Sequence, residues 1–129
     1  MNARVASFIN NHEDEIDTDD FHSVFTAAYQ ELDNNDTRTL YNDLCDTFGT
    51  EFITKQRETA LYFIVSMLVE DFDPDRRYSF GYIYGQLMHE NILGLRTTEF
   101  GKYLRDNAVE FGLNSKIVNG ISVYTKKEV

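Results

Sequence analysis

The spacing of apolar residues changes once along this chain, and that change constrains the fold more than any other feature. From residue 3 to residue 112 apolar side chains recur at helical intervals; from Lys116 they fall into two short β-rich runs around Asn119-Gly120. Side chains three and four residues apart share one helix face, so each such run must bury one side. Ala3 to Asn10 is expected as a short helix with Val5, Phe8 and Ile9 inward, ending in the polar run Asn11 to Glu15. Phe21, Val24, Phe25, Ala28 and Leu32 mark a second. Thr18 is its expected N-cap, with Asp19 and Asp20 in the first turn, where the helix dipole favours negative charge. A turn over Asp33–Asp36 follows, with Asp36 as the next cap. Leu40, Tyr41, Leu44, Cys45 and Phe48 line the third helix, which Gly49 stops. The fourth, Phe52 to Val69, is apolar nearly all round towards its end and is expected to be buried. Its most hydrophobic stretch, Ala60 to Val69, is about half the ~20 residues a membrane span requires.

Beyond Pro74, Phe80, Ile83, Tyr84, Leu87 and Met88 predict another amphipathic helix, broken at Gly94. Thr97 or Thr98 is placed to cap a helix over 97–109, with Phe100, Tyr103, Leu104 and Ala108 inward and Gly112 closing it. Asn119-Gly120 then predicts a β-hairpin, because both residues of a tight hairpin turn must accept positive φ. The stretches Phe21–Gly49 and Phe80–Gly112 are faintly alike, each closed by Phe-Gly. Convergence among amphipathic helices accounts for this better than duplication does.

Charge divides the chain at nearly the same place. Residues 1–75 hold seventeen Asp/Glu against four Lys/Arg, a net of −13; residues 76–129 hold five against eight, +3; together they give −10. The sign changes at Asp71-Phe-Asp-Pro-Asp-Arg-Arg77, which contains the only proline. The expected organisation is an acidic helical region over 1–73 and a second region over 74–129. An asymmetry of this kind points to an interaction protein with two different surfaces. A net of −10 opposes tight non-specific binding to DNA or anionic lipid, both of which need cations against phosphate. One cysteine, Cys45, excludes an internal disulfide. The first residues, Met-Asn-Ala-Arg-Val-Ala-Ser, lack the apolar run of a secretion signal, so the expected setting is cytoplasmic.

Helix, loop, helix and terminal hairpin, in that order, form the winged-helix layout, in which the helix before the hairpin is offered to DNA. Thr97-Thr-Glu-Phe-Gly-Lys-Tyr-Leu104, followed by Lys116, Asn119-Gly120 and Tyr124, resembles the C-terminal winged-helix segment of phage and plasmid primase-helicases. The likeness covers roughly residues 78–127 and nothing before residue 76. It implies a DNA-binding or docking module without helicase activity, since no Walker-type loop is present.

Thr98, Lys102 and Arg105 are spaced four and three apart and share one helix face, opposite Phe100 and Leu104. Thr97 begins the same helix, and Lys116, Asn119, Lys126 and Lys127 lie on or beside the hairpin. Cations of this kind contact phosphate, while Thr98, Lys102 or Arg105 would read base edges. Glu99 and Asp106 flank the face and oppose phosphate. The plain alternative is a solvated helix with weak ion pairs. In the acidic region, a carboxylate-studded helical surface can occupy the basic nucleic-acid site of another enzyme, with Asp19, Asp20, Asp43 and Asp46 as contacts. Small acidic phage inhibitors of restriction or CRISPR nucleases resemble this chain in size and pI. The plain alternative is an acidic surface kept for solubility.

Chemistry finds little support. Asp71, Asp73 and Asp75 match the first three ligand positions of a calcium loop, but Arg76 and Tyr82 stand where glycine and glutamate belong. His12, His22 and His89 show no metal-ligand spacing, and Cys45 falls on an apolar helix face. Tyr78, Tyr82 and Tyr124 are the aromatics expected to be partly exposed. The resulting expectation is a mainly α protein, its acidic helices packed on a winged helix. It would be non-enzymatic, of phage or mobile-element type and without cofactor. It would bind duplex DNA or dock on a nucleic-acid-processing complex. The alternatives are an acidic inhibitor of a nucleic-acid-binding protein and a scaffold that forms a homodimer.

Overall fold

The computed structural model describes residues 2–88 and 92–126. They form a mainly helical fold with one small three-stranded antiparallel sheet. Two compact units divide the chain, Met1–Tyr62 with Glu90–Leu95 and Phe63–His89 with Arg96–Val129. The division falls inside one helix, and a short segment between two later helices returns to the first unit. It also regroups the charges: the first unit carries fourteen Asp/Glu against four Lys/Arg, the second eight against eight.

The first unit opens with α1 (Ala3–Asn11), capped by the Asn2 side chain on the Arg4 amide at 2.8 Å. The acidic run after it is helical too, as α2 (Glu13–Asp17). Thr18 does not cap α3 (Phe21–Glu31). Its hydroxyl is turned back onto the Asp14 carbonyl at 2.9 Å, closing α2, and Asp19 reverses the chain at φ 59°. Asp20 is then the first side chain free to receive the Ser23 amide, and it supplies the cap. The next cap also moves forward. Asp33 accepts from the Asp36 amide at 2.8 Å and starts α4 (Asn34–Phe48), so the expected turn is already helix. Asp36 is instead buried at 6 % exposure, held by the Asn2 amide at 2.6 Å with Arg4 at 3.6 Å. Phe21, Val24, Phe25, Ala28, Leu40 and Leu44 are buried as their spacing predicts. Phe48 is 39 % exposed and covers only the edge of Phe21, at 5.0 Å between ring centres. Ile92, Leu93 and Leu95 are buried in this unit as well, and Gly94 (φ 77°) lies directly over the Thr37–Arg38 backbone.

α5 (Thr50–Glu70) begins in the first unit and ends in the second. It buries Ile53, Ala60, Leu61, Val65 and Val69, yet Phe63 and Met67 are 51 % and 68 % exposed, so the expected buried helix keeps an open side.

In the second unit the proline-containing stretch is packed: Phe72 stacks on Tyr78 at 3.9 Å and 12°, and the Tyr78 hydroxyl accepts from the Asp73 amide at 2.8 Å. That contact leads into β1 (Arg77–Ser79), α6 (Phe80–Met88), α7 (Thr97–Asp106), β2 (Leu113–Val118) and β3 (Ile121–Lys126). The hairpin turn is Asn119-Gly120, at φ 53° and 78°, between the paired Val118 and Ile121. β3 is the central strand, in the order β1-β3-β2, with Tyr78 opposite Tyr124. This pairing corrects the expected exposure of two tyrosines. Tyr124 is fully buried and Tyr78 is 7 % exposed, while Tyr82 alone stays open at 47 %. α7 is shorter than the 97–109 expected, and residues 107–112 continue as turns.

Candidate nucleic-acid interface

α7 is held by its inner face. Phe100 and Leu104 are fully buried, and Phe100 meets Phe80 of α6 at 5.8 Å. Gly101 lies over the same Phe80 ring, where an added Cβ would stand 3.6 Å from it, an ordinary contact distance. Neither Thr97 nor Thr98 caps the helix. Arg96 takes the N-cap position with φ −73° and ψ 159°, and Glu99 reaches back to accept from its amide at 3.2 Å. The Glu99 carboxylate also stands 3.8 Å from Arg96 Nε. One of the two acids that would oppose phosphate, Glu99, is therefore drawn towards Arg96, while Asp106 stays exposed.

Thr97, Thr98, Lys102 and Arg105 are all exposed. They form one wall of a groove of about 460 Å³, with the start of α6 as its floor and Gly120, Ile121 and Ser122 of the hairpin opposite. Among the described residues no carboxylate lies within 4.0 Å of the cationic atoms of Lys102 or Arg105. The charge of Arg105 reaches β3. Burial raises the Tyr124 phenol above its ordinary pKa, while the Arg105 charge and the Ser122 hydroxyl pull the other way.

The remaining basic residues are dispersed. Lys116 is exposed on β2 opposite Val123, and Asn119 is exposed in the turn; neither lines the groove. Lys126 is half-buried, its Nζ donating to the Glu70 carbonyl at 3.2 Å, where a helix C-terminus attracts cations. Lys127 and His89 lie outside the described residues. Sequence spacing identifies the α7 wall but not the floor and far side, Phe80, Gly81, Ile121 and Ser122. The one advance signal was a glycine, Gly101, among large inward residues of α7.

The acidic candidates fall in two places. Asp19 and Asp20 occupy the turn before α3, Asp20 engaged as its cap with the Ser23 hydroxyl at 2.8 Å. Asp43 and Asp46 sit on α4; Asp46 is exposed, whereas Asp43 is half-buried with one oxygen enclosed. No three His, Cys, Asp or Glu side chains converge as a metal ion would need among the described residues. Nor is any described helix long and apolar enough to cross a membrane. Comparison with family models, with curated proteins and with solved structures finds no match for this chain.

Proposed function

We propose that the second unit is a winged helix that binds duplex DNA, and that the chain is a non-enzymatic module of phage or mobile-element type. The observation that carries this is the pair Lys102 and Arg105, exposed and without a carboxylate partner among the described residues, on the wall of a groove closed by the hairpin. The order helix, β1, α6, α7, β2, β3, with β3 between the other strands, supports the same reading. In it α7 enters the major groove, Thr98, Lys102 and Arg105 face base edges, and Thr97, Lys116 and Asn119 meet the backbone. The unit is electrically balanced overall, so affinity must come from local contacts.

The test is fluorescence anisotropy of a labelled duplex with the whole chain across a salt series. Each phosphate neutralised by a cationic side chain contributes about −0.9 to the slope of log K against log salt, so Lys116 alone gives about −1 and Lys102 and Arg105 add about −0.9 each where they also reach phosphate. Lys102→Glu with Arg105→Glu abolishes binding. Absence of binding at low salt sinks the proposal.

A second reading rests on the first unit, which holds fourteen acidic side chains against four basic ones. In it the acidic helices engage the basic nucleic-acid channel of a host enzyme. Asp19→Asn with Asp46→Asn is the informative variant, because Asp20 caps a helix and Asp43 is half-buried. A complex with a purified basic nuclease that survives this change refutes the reading.

A further inference from the structure

We propose that copies of this chain associate head to tail, the acidic face of α2 in one copy seated in the α7–hairpin groove of the next. Self-association and DNA would then compete for Lys102 and Arg105. The competition rests on the DNA-binding proposal; the association itself does not.

Two surfaces of the same chain are complementary and both are uncompensated. Six of the eight residues Glu13 to Asp20 are Asp or Glu. Glu13, Asp14 and Asp17 are exposed, and no described cation pairs with them. Lys102 and Arg105 are likewise exposed and unpaired among the described residues. The spacings also match. Side chains three or four apart on a helix lie about 5–6 Å from each other, so Asp14 and Asp17 repeat at the pitch of Lys102 and Arg105. Gly101 and Gly120 keep side-chain bulk out of the groove between its walls. The occupant needs a narrow row of carboxylates, and α2 with the turn after it is the densest such row in the chain.

Each contact joins two unlike patches, so copies build open chains, a closed ring or a reciprocal pair. The net charge of −10 acts against it, since whole molecules repel. At about 0.1 M salt the Debye length is about 10 Å, so the distant repulsion is screened while contact pairs persist; at about 1 M both are lost. Association is expected to be strongest near the first value and absent at the second.

Sedimentation velocity of the full chain over a concentration series tests this. Wild type should show a concentration-dependent rise in sedimentation coefficient at about 0.1 M salt and a monomer at about 1 M. Lys102→Gln with Arg105→Gln, and separately Asp14→Asn with Asp17→Asn, should each remain monomeric with unchanged circular dichroism. Mixing the two variants leaves one intact pair of surfaces and should give a 1:1 heterodimer that grows no further. Added duplex should dissociate wild-type assemblies. A wild type that is monomeric throughout, or assemblies that both variants leave intact, overturns the proposal. Association without DNA binding removes the DNA reading and leaves this one standing; DNA binding by a strict monomer does the reverse.

Discussion

Gly94→Ala tests how tightly the segment before α7 is seated. A Cβ built on Gly94 stands 2.9 Å from both Arg38 Cα and Arg38 N, and 3.2 Å from Thr37 C. All three are backbone atoms of α4, which cannot give way as the end of a flexible side chain would. Gly94 also has φ 77°, a left-handed conformation that costs an alanine about 1–2 kcal/mol. Forcing a methyl into a packed site adds about 1–3 kcal/mol. Alanine restricts the unfolded chain and recovers about 0.4–1 kcal/mol. The net destabilisation is about 1–4.5 kcal/mol, a large part of the ~5–15 kcal/mol that holds a typical domain. Gly112→Ala provides the control, with φ 73° and nothing within 4 Å of its added Cβ. It carries the conformational cost without the clash, and should lose about 0–1.5 kcal/mol, less than Gly94→Ala by the ~1–3 kcal/mol of the clash. Urea denaturation followed by far-ultraviolet circular dichroism measures both. Equal losses for the two variants would refute the close approach of residue 94 to α4.

Asp36→Ala should cost about 1.5–3 kcal/mol in the same assay, because it leaves the Asn2 amide without its charged acceptor at 2.6 Å; the exposed Arg4 contributes little. Protection of α1 amides from hydrogen exchange should fall with it, and unchanged protection would mean that Asn2–Asp36 does not tie α1 to α4. Gly120→Val forces a β-branched residue to φ 78° and should cost at least the ~1–2 kcal/mol of the left-handed penalty, with loss of cross-strand contacts between Val118 and Ile121 by NMR. Burial raises the phenols of Tyr29 and Tyr124. A native state that keeps a proton the unfolded chain has released loses stability as pH rises, so unfolding should become easier above about pH 10, the ordinary tyrosine value. Tyr124→Phe should flatten that alkaline decline, and an unaltered decline would show that Tyr124 ionises freely.

Much of the architecture follows from residue order alone. Helical spacing marks the inward sides of α1, α3, α4 and α7, since a helix in water must hide its apolar stripe whatever it packs against. Asn119-Gly120 fixes the hairpin, because two successive positive φ angles are affordable to few other pairs. Local competition was not legible. Thr18 and Asp36 are both good caps by type, but Thr18 closes the preceding helix and Asp36 bonds to Asn2, thirty-four residues away, so each cap moved to a neighbour. β1 is three residues long and too short to display a period; it is a strand only because β3 pairs with it. That pairing also buries Tyr78 and Tyr124, which look amphipathic in one dimension. The basic wall of the candidate site is written in the spacing of Lys102 and Arg105. Tertiary packing alone brought the hairpin to the groove and tethered Lys126 to the end of α5, whereas Glu99 meets Arg96 locally, three residues apart in the first turn of α7. Periodicity records which side of an element must be hidden; only the packed chain decides what each exposed charge faces.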